Sequence, residues 1–313
     1  MEEVDDSIDW RLLYKRFKYT IIYGIVLFFI FLSHLVPRKV WIKFTGTLGA
    51  LSYYFARKSR EKTIEHLGLA FAGKKTIKEI IALSKESFKM IGRNAGDLLR
   101  ATKVRTREDL DKILVSHDYE NFEHAKAKGK GIIFLTCHLG AFDLQITNMA
   151  LRGLKPLIIG TVLKDPRLNQ LLWGQRNALG AVAIERGKET IRLIKTLKSG
   201  GCLAILIDQD TAVKSRFVNF FGIPAATPVG AAIFAMKTGA AVVPTYIHLG
   251  DDNKQHMYFL PEIPLVLTGD DEKDMITNTD NYTKFIEETI RKHPAQWVWM
   301  HERWKTRPGQ EIV

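Results

Sequence analysis

The chain has 313 residues, two of them cysteine, and carries 46 Lys and Arg against 34 Asp and Glu, a net charge of +12. That length suits one large α/β domain with a smaller element, and so few cysteines exclude a disulfide framework. A balance this basic points to an acidic carrier, an anionic lipid surface or nucleic acid, although a solvated charged face gives the same total.

The first element is Tyr19–Val36, YTIIYGIVLFFIFLSHLV, which contains no Asp, Glu, Lys or Arg. It is close to the lower limit of roughly 17 residues for spanning a bilayer. Arg11, Lys15, Arg16 and Lys18 precede it, and Arg38, Lys39 and Lys43 follow. Tyr19, Tyr23 and Trp41 lie near its ends, where amphipathic rings favour headgroups. A long acidic leader, MEEVDDSID, and the lack of a small-residue cleavage site argue against a signal peptide. Positive charge on both sides leaves orientation open, and a helix lying in the interface suits that symmetry too. His34 reads as an interfacial residue at the helix end.

Helices are expected over Val40–Ala56, Ser59–Phe71 and Thr76–Arg100; the last places Ile77, Ile80, Ile81, Phe88 and Ile91 at helical spacing. Thr102–Ala127 is mixed and charged, with a short helix over Glu120–Lys128 closed by Gly129. From Gly131 strands and helices alternate. GIIFLTC, PLIIGTV, AVAIE and CLAILID read as strands, with helices over AFDLQITNMALRG, Pro166–Ala178 and Lys188–Ser199 between them. A long loop leads to a helix over Pro228–Thr238 that begins on proline. AVVPTYIHL and QHMYFL, joined through DDNK, predict a hairpin, and Thr279–Lys292 a last helix. The pattern predicts an α/β fold with a mixed, largely parallel sheet flanked by helices. Three regions are expected: a membrane-anchor helix over 1–37, a helical region over 38–128 packed on the rest, and a catalytic α/β domain over 129–313.

The stretch FLTCHLGAFDL places His138 just past a buried strand, where α/β folds hold their ligands. Asp143 follows at five residues. Among nine histidines one such pair is expected by chance, roughly, so the spacing alone decides nothing. The setting is more telling. Gly140 permits a tight turn, and Asp143 then falls in the first turn of a helix, where a carboxylate is favoured. His138 as general base, oriented by Asp143, is one reading; a capping Asp beside a satisfied histidine is the other. Cys137 is set aside as a nucleophile because successive strand residues point to opposite faces. Cys137 and Cys202 read as reduced core residues, and no zinc ligand set is present. No G-x-S-x-G elbow, P-loop or nucleic-acid motif occurs.

Three further stretches add to the pair: QRNALGAVAIERG (175–187), FVNFFGIPAATPVGAAIFAMKTGAAVVP (217–244) and HPAQWVWMHERWKTRP (293–308). With His138 and Asp143, in this order, the chain resembles the bacterial lipid A biosynthesis acyltransferases, within the glycerophospholipid acyltransferase superfamily marked by H-x-x-x-x-D/E. The resemblance runs over essentially the whole chain. It implies that His138 is catalytic with Asp143 as charge-relay partner, a position where many members carry Glu. It implies that Arg186, Gly222, Pro224 and Thr227 bind the acceptor, and it matches Pro244 to a fourth motif. Ala212 departs from the Gly of many members, which sets the loop over 208–217 apart.

Physical reasoning adds an oxyanion donor near Gly140, and at Phe217, Phe220, Phe221 and Ile223 either an acyl groove or plain core packing. Trp297, Trp299 and Trp304 suit either a membrane interface or the core. The expected protein is a membrane-bound O-acyltransferase with no cofactor. It moves an acyl chain from acyl carrier protein or acyl-coenzyme A to a lipid A precursor at the inner membrane, with its catalytic domain toward the cytoplasm. The same chemistry on a lysophospholipid or a phosphoinositide mannoside is a rival, as is a membrane-tethered lipid-binding protein without turnover.

Overall fold

The computed structural model describes residues 10–185, 189–310 and 312. Four helices lead: α1 (Trp10–Leu35), α2 (Arg38–Phe55), α3 (Arg57–Ala70) and α4 (Ile77–Arg100). The stretch Tyr14–Leu35 of α1 is long and apolar enough to cross a membrane, and only 6% of its most apolar window is buried. The start of α4 is fixed by a capping box, in which Thr76 and Glu79 satisfy each other's backbone N–H groups. α2 and α4 cross closely. A Cβ on Gly49 would stand 2.3 Å from the Phe88 carbonyl, and one on Gly92 equally close to that of Thr45, so only glycine permits the approach. Arg38 clamps the pair by a 2.6 Å ion pair to the buried Asp97.

Next come α5 (Arg107–Asp111), β1 (Leu114–His117), α6 (Glu120–Ala127), β2 (Ile132–Thr136), α7 (Asp143–Leu151), β3 (Leu157–Gly160), α8 (Pro166–Ala178), β4 (Val182–Glu185), α9 (Thr190–Lys198) and β5 (Cys202–Leu206). Then follow β6 (Ser215–Phe220), β7 (Ile223–Pro228), α10 (Gly230–Thr238), β8 (Ala241–Leu249), β9 (Gln255–Phe259) and α11 (Asp271–Lys292). Among the described residues, seven strands form one sheet in the order β1-β9-β8-β2-β5-β3-β4. Every pairing in it is parallel except the β8–β9 hairpin. The architecture is thus the expected α/β sandwich, with its apolar N-terminal helix.

Two elements depart from expectation. β1 lies ahead of residue 129, within a stretch read as merely mixed and charged, yet it forms the sheet edge with β9. The unit expected to begin at 129 therefore takes β1 from before it. The segment read as a long loop holds the β6–β7 hairpin. Its two-residue turn is Phe221–Gly222, with φ of 57° and 81°, a pattern matched to strand twist. Phe221 tolerates that conformation because its N–H donates to Glu287 and its ring packs on Phe71 and Trp299.

The central strand β2 is buried on both faces, as a strand covered by helices on either side must be. Its residues alternate: Ile133, Leu135 and Cys137 join one core cluster, Ile132 and Phe134 the other. Trp297, Trp299 and Trp304 all belong to the first cluster and are core residues.

Candidate active site

The register of the two central strands sets the site. Thr136 of β2 pairs with Leu206 of β5. Two residues beyond, at the carboxyl ends of both strands, stand His138 and Asp208. The Asp208 carboxylate accepts from the His138 backbone N–H at 2.8 Å and meets His138 Nδ1 at 2.8 Å. Trp297 Nε1 donates to it at 2.7 Å. Asp208 is fully buried, while the His138 side chain is 24% exposed. Burial pushes the Asp208 carboxyl up, but the His138 imidazole and the three hydrogen bonds outweigh this and hold it below the usual carboxylate range. An ionised Asp208 can only accept, so Nδ1 bears a proton, and in the neutral imidazole Nε2 then holds the lone pair.

Trp297 is placed by Gln296 before it. The Gln296 side-chain amide bonds both ways with the backbone of Leu249, and the Gln296 backbone carbonyl accepts from the Gly140 N–H at 2.9 Å. Through Asn94 and Gln255 the same network reaches α4 and β9. The residue preceding the Trp297 indole is therefore held by polar contacts from β8, the Gly140 turn and α4.

Asp143 sits in the first turn of α7, as expected, but its carboxylate does not meet His138. It accepts from Arg176 of α8, from Nη2 at 2.7 Å and from Nε at 3.2 Å. The reason is steric and topological: Asp208 occupies Nδ1 from the neighbouring strand, and α7 turns Asp143 toward α8. Asp143, Arg176 and His138 nevertheless line one cavity of about 420 Å³. Gln145, Gln209 and Lys214 add polar groups, and Phe134, Met149, Ile158, Leu193, Ile233 and Phe234 form an apolar part.

Other expected site residues lie elsewhere. The Gly140 N–H is committed to Gln296, so it is not an oxyanion donor here. Glycine is required at that turn for another reason: φ is +64° and a Cβ would stand 2.3 Å from the Ile247 carbonyl. Phe220 and Phe221 are core residues, packed on tryptophans, and neither they nor Phe217 line the cavity. Gly222 and Pro224 are exposed at the hairpin end. Thr227 is buried and takes a hydrogen bond from the buried Arg303, a structural partnership inside the core. None of the three lines the cavity. Arg186 lies outside the described residues. Pro244 is buried in β8 opposite Leu135. In the 208–217 loop, Asp210 holds the Thr306 N–H and hydroxyl, and Ala212 is exposed.

Sequence reasoning missed Asp208, Arg176 and Trp297. Asp208 had a signal: it ends the apolar strand CLAILI in the adjacent parallel position, where β5 delivers its next residues to the same edge as β2. Arg176 and Trp297 had none, because their roles depend on which helix and loop approach that edge.

The arrangement supports base chemistry without a protein nucleophile. Cys137 points into the core, and burial, with Asp208 adding, pushes its thiol well up.

Comparison with known proteins gives one consistent result. The sequence pattern of the family described as bacterial lipid A biosynthesis acyltransferase matches residues 10–306. The palmitoleoyltransferase of lipid A biosynthesis from Escherichia coli is 26% identical, with 86% of each chain covered. A lipid A biosynthesis acyltransferase from Haemophilus influenzae is 25% identical over 91% of this chain and 88% of its own. A phosphatidylinositol mannoside acyltransferase from Mycobacterium tuberculosis is 23% identical over 72% and 70%.

Proposed function

The chain belongs to the bacterial lipid A biosynthesis acyltransferase family and is an acyltransferase, and on that premise we propose that it acylates a hydroxyl of a lipid A precursor. The donor is a thioester of acyl carrier protein or coenzyme A. The observation that carries the reading is the His138–Asp208 pair, whose imidazole lines a cavity with both polar and apolar side chains in its wall.

The acceptor hydroxyl gives its proton to His138 Nε2 as its oxygen attacks the thioester carbonyl carbon. The resulting imidazolium is stabilised by Asp208. The tetrahedral intermediate collapses by breaking the C–S bond, and the thiolate leaves with the proton from His138. Transfer is direct, in a ternary complex. Arg176, oriented by Asp143, keeps Nη1 without a hydrogen-bond partner among the described residues, and it serves the developing oxyanion or an acceptor phosphate. Asp143 is thus a positioning residue.

α1 holds the protein at the inner membrane, with the catalytic domain on the cytoplasmic side, and the net charge of +12 favours both an anionic lipid surface and an acidic carrier. The test is incubation of the full chain, in detergent, with radiolabelled acyl carrier protein or acyl-coenzyme A. Lipid A precursor, lysophospholipid and phosphoinositide mannoside are supplied separately as acceptors. Transfer to the lipid A precursor is expected; preferential transfer to either other lipid would overturn the acceptor assignment.

A further inference from the structure

A buried polar path leads from the loop that carries His138 to the start of α2. Leu139 forms an antiparallel bridge with Trp297, and the Gly140 N–H donates to the Gln296 backbone carbonyl. The Gln296 side-chain oxygen accepts from Asn94 of α4 at 3.4 Å as well as from the Leu249 N–H at 2.8 Å. Asn94 Oδ1 accepts from Gln255 Nε2 at 3.1 Å, and the same nitrogen donates to Asp97 at 2.8 Å. Asp97 ends the path in a two-point contact with Arg38, at 2.8 and 2.6 Å. Asn94, Asp97 and Gln255 are buried, and none of them lines the cavity at His138.

The path has a direction. Asp97 is ion-paired with a guanidinium and can only accept, so Gln255 must present its amide nitrogen to it. Both hydrogens of that nitrogen are then used, one on Asp97 and one on Asn94 Oδ1. Asn94 is left with its own nitrogen toward Gln296, whose side-chain oxygen must therefore face it. The Gln296 side-chain nitrogen then meets the Leu249 carbonyl at 2.9 Å. A carboxylate that only accepts thus sets the orientation of the Gln255, Asn94 and Gln296 amides, up to the residue that holds the Gly140 turn. Turning one of them over would set donor against donor, or acceptor against acceptor, in the core, where an unmade bond is costly.

We propose that Asn94 and Asp97 are positioning residues for the His138–Asp208 pair. From α4, without lining the cavity, they hold Gln296. Through it they hold the Gly140 turn beside His138 and the segment that brings the Trp297 indole to Asp208. The inference rests on the acyl transfer proposed above. In that reaction His138 Nε2 has to meet the acceptor hydroxyl while Nδ1 stays on Asp208, and misplacing a reacting group by about 1 Å costs roughly 10²-fold in rate. Arg38, at the far end, opens α2 just after α1. The path therefore also ties His138 to the join between the apolar helix and the rest of the fold.

The test uses the full chain in detergent, with acylated acyl carrier protein as donor and a lipid A precursor as acceptor. Asn94→Leu keeps much of the side chain's shape without the amide. Asp97→Asn is isosteric but can donate where the carboxylate only accepts. Each is expected to lower kcat about tenfold, within what a small misplacement costs, and to leave both KM values unchanged. The Trp297 indole N–H resonance, identified in a nitrogen-labelled tryptophan spectrum by its loss in Trp297→Phe, should shift in both variants. Asn278→Ala controls for lost stability, because Asn278 is equally buried in α11 but bonds Val266 and Asp274 instead. It should leave kcat and that resonance unchanged. Wild-type kcat with an unmoved resonance, an equal loss of kcat in Asn278→Ala, or raised KM values with kcat held would each overturn the proposal. Circular dichroism confirms folding, and Asp97→Asn decides the matter should Asn94→Leu not fold. A wild-type chain without turnover rejects the acyl-transfer reading instead, and the indole resonance, which needs no substrate, still decides this inference.

Discussion

His138 and Asp208 come from neighbouring parallel strands, two residues past the paired Thr136 and Leu206, and they meet at 2.8 Å. Imidazole and carboxylate are therefore positioned by sheet register rather than by spacing along one loop. Asp208→Asn should lower the transfer rate by roughly 10²–10⁴-fold, as loss of the base itself does, because an amide can hold the wrong tautomer and cannot steady imidazolium. His138→Ala should fall as far. The measurement is transfer rate, with circular dichroism to confirm folding. A folded Asp208→Asn enzyme with near-normal turnover would remove Asp208 from the dyad.

Asp143 and Arg176 should behave as a pair. The Arg176 and Asp143 side chains are 14% and 19% exposed, so removing either partner leaves a poorly solvated charge. Arg176→Lys keeps the charge but loses the planar fork, and a loss of about tenfold in kcat/KM is expected. Asp143→Asn should cost less in kcat than Asp208→Asn, and Asp143→Glu should keep part of the activity. A double-mutant cycle on the two sites reads their coupling. Independent effects would show that Asp143 does not act through Arg176.

Two glycines with positive φ should respond differently. Gly140→Ala forces a Cβ against the Ile247 carbonyl at 2.3 Å, beside the loop that carries His138. It should lower both stability, by about 2 kcal/mol or more, and activity. Gly222→Ala, where a Cβ meets nothing within 4 Å, should cost only about 1 kcal/mol of backbone strain and leave kcat intact. Denaturation midpoints and initial rates decide it.

Stability should depend on pH through a histidine stack near the sheet edge. His248 and His293 rings lie 3.8 Å apart, and His117 Nε2 meets His256 Nδ1 at 2.9 Å. Tyr246 and Tyr258 stack with them, while Asp118, Asp252 and Lys292 supply the nearby charges. Burial, with His248 and Lys292, lowers His293 to about 4, and burial lowers His248 too. A histidine with a lowered folded pKa binds more protons when unfolded. Stability is therefore full above the ordinary value of 6.5 and is lost as pH falls toward about 4. His293, partly exposed and so partly screened by solvent, accounts for a loss on the order of 2 kcal/mol. Melting temperature against pH should fall across that window, and His293→Phe should flatten the slope. A wild-type curve flat from neutrality to pH 4 would contradict this.

Much of the fold was legible because its signals are local. The runs GIIFLTC and CLAILID give buried strands, and α8 begins and ends where Pro166–Ala178 was read. β1 was hidden because LVSH is short, with three of its four residues only part-buried. The β6–β7 hairpin was hidden because its turn is Phe-Gly rather than Asn-Gly, a choice that only the surrounding core explains. At the site, His138 was legible from its place after a strand. Its partner was not, since two carboxylates compete and only strand order brings Asp208 to Nδ1. The Phe217, Phe220 and Phe221 cluster reads equally well as groove or core, and burial assigns Phe220 and Phe221 to the core.

The bond from Trp297 to Asp208 has a consequence for biosynthesis. In chain order Trp297 follows β9 and α11, after all seven strands of the main sheet. A nascent or prematurely terminated chain that stops after β9 already has every strand of the sheet, with His138 and Asp208 in register, but without the indole that completes the buried carboxylate's partners. The segment after β9 thus supplies one of the donors that complete the buried carboxylate, although it adds no strand to the sheet.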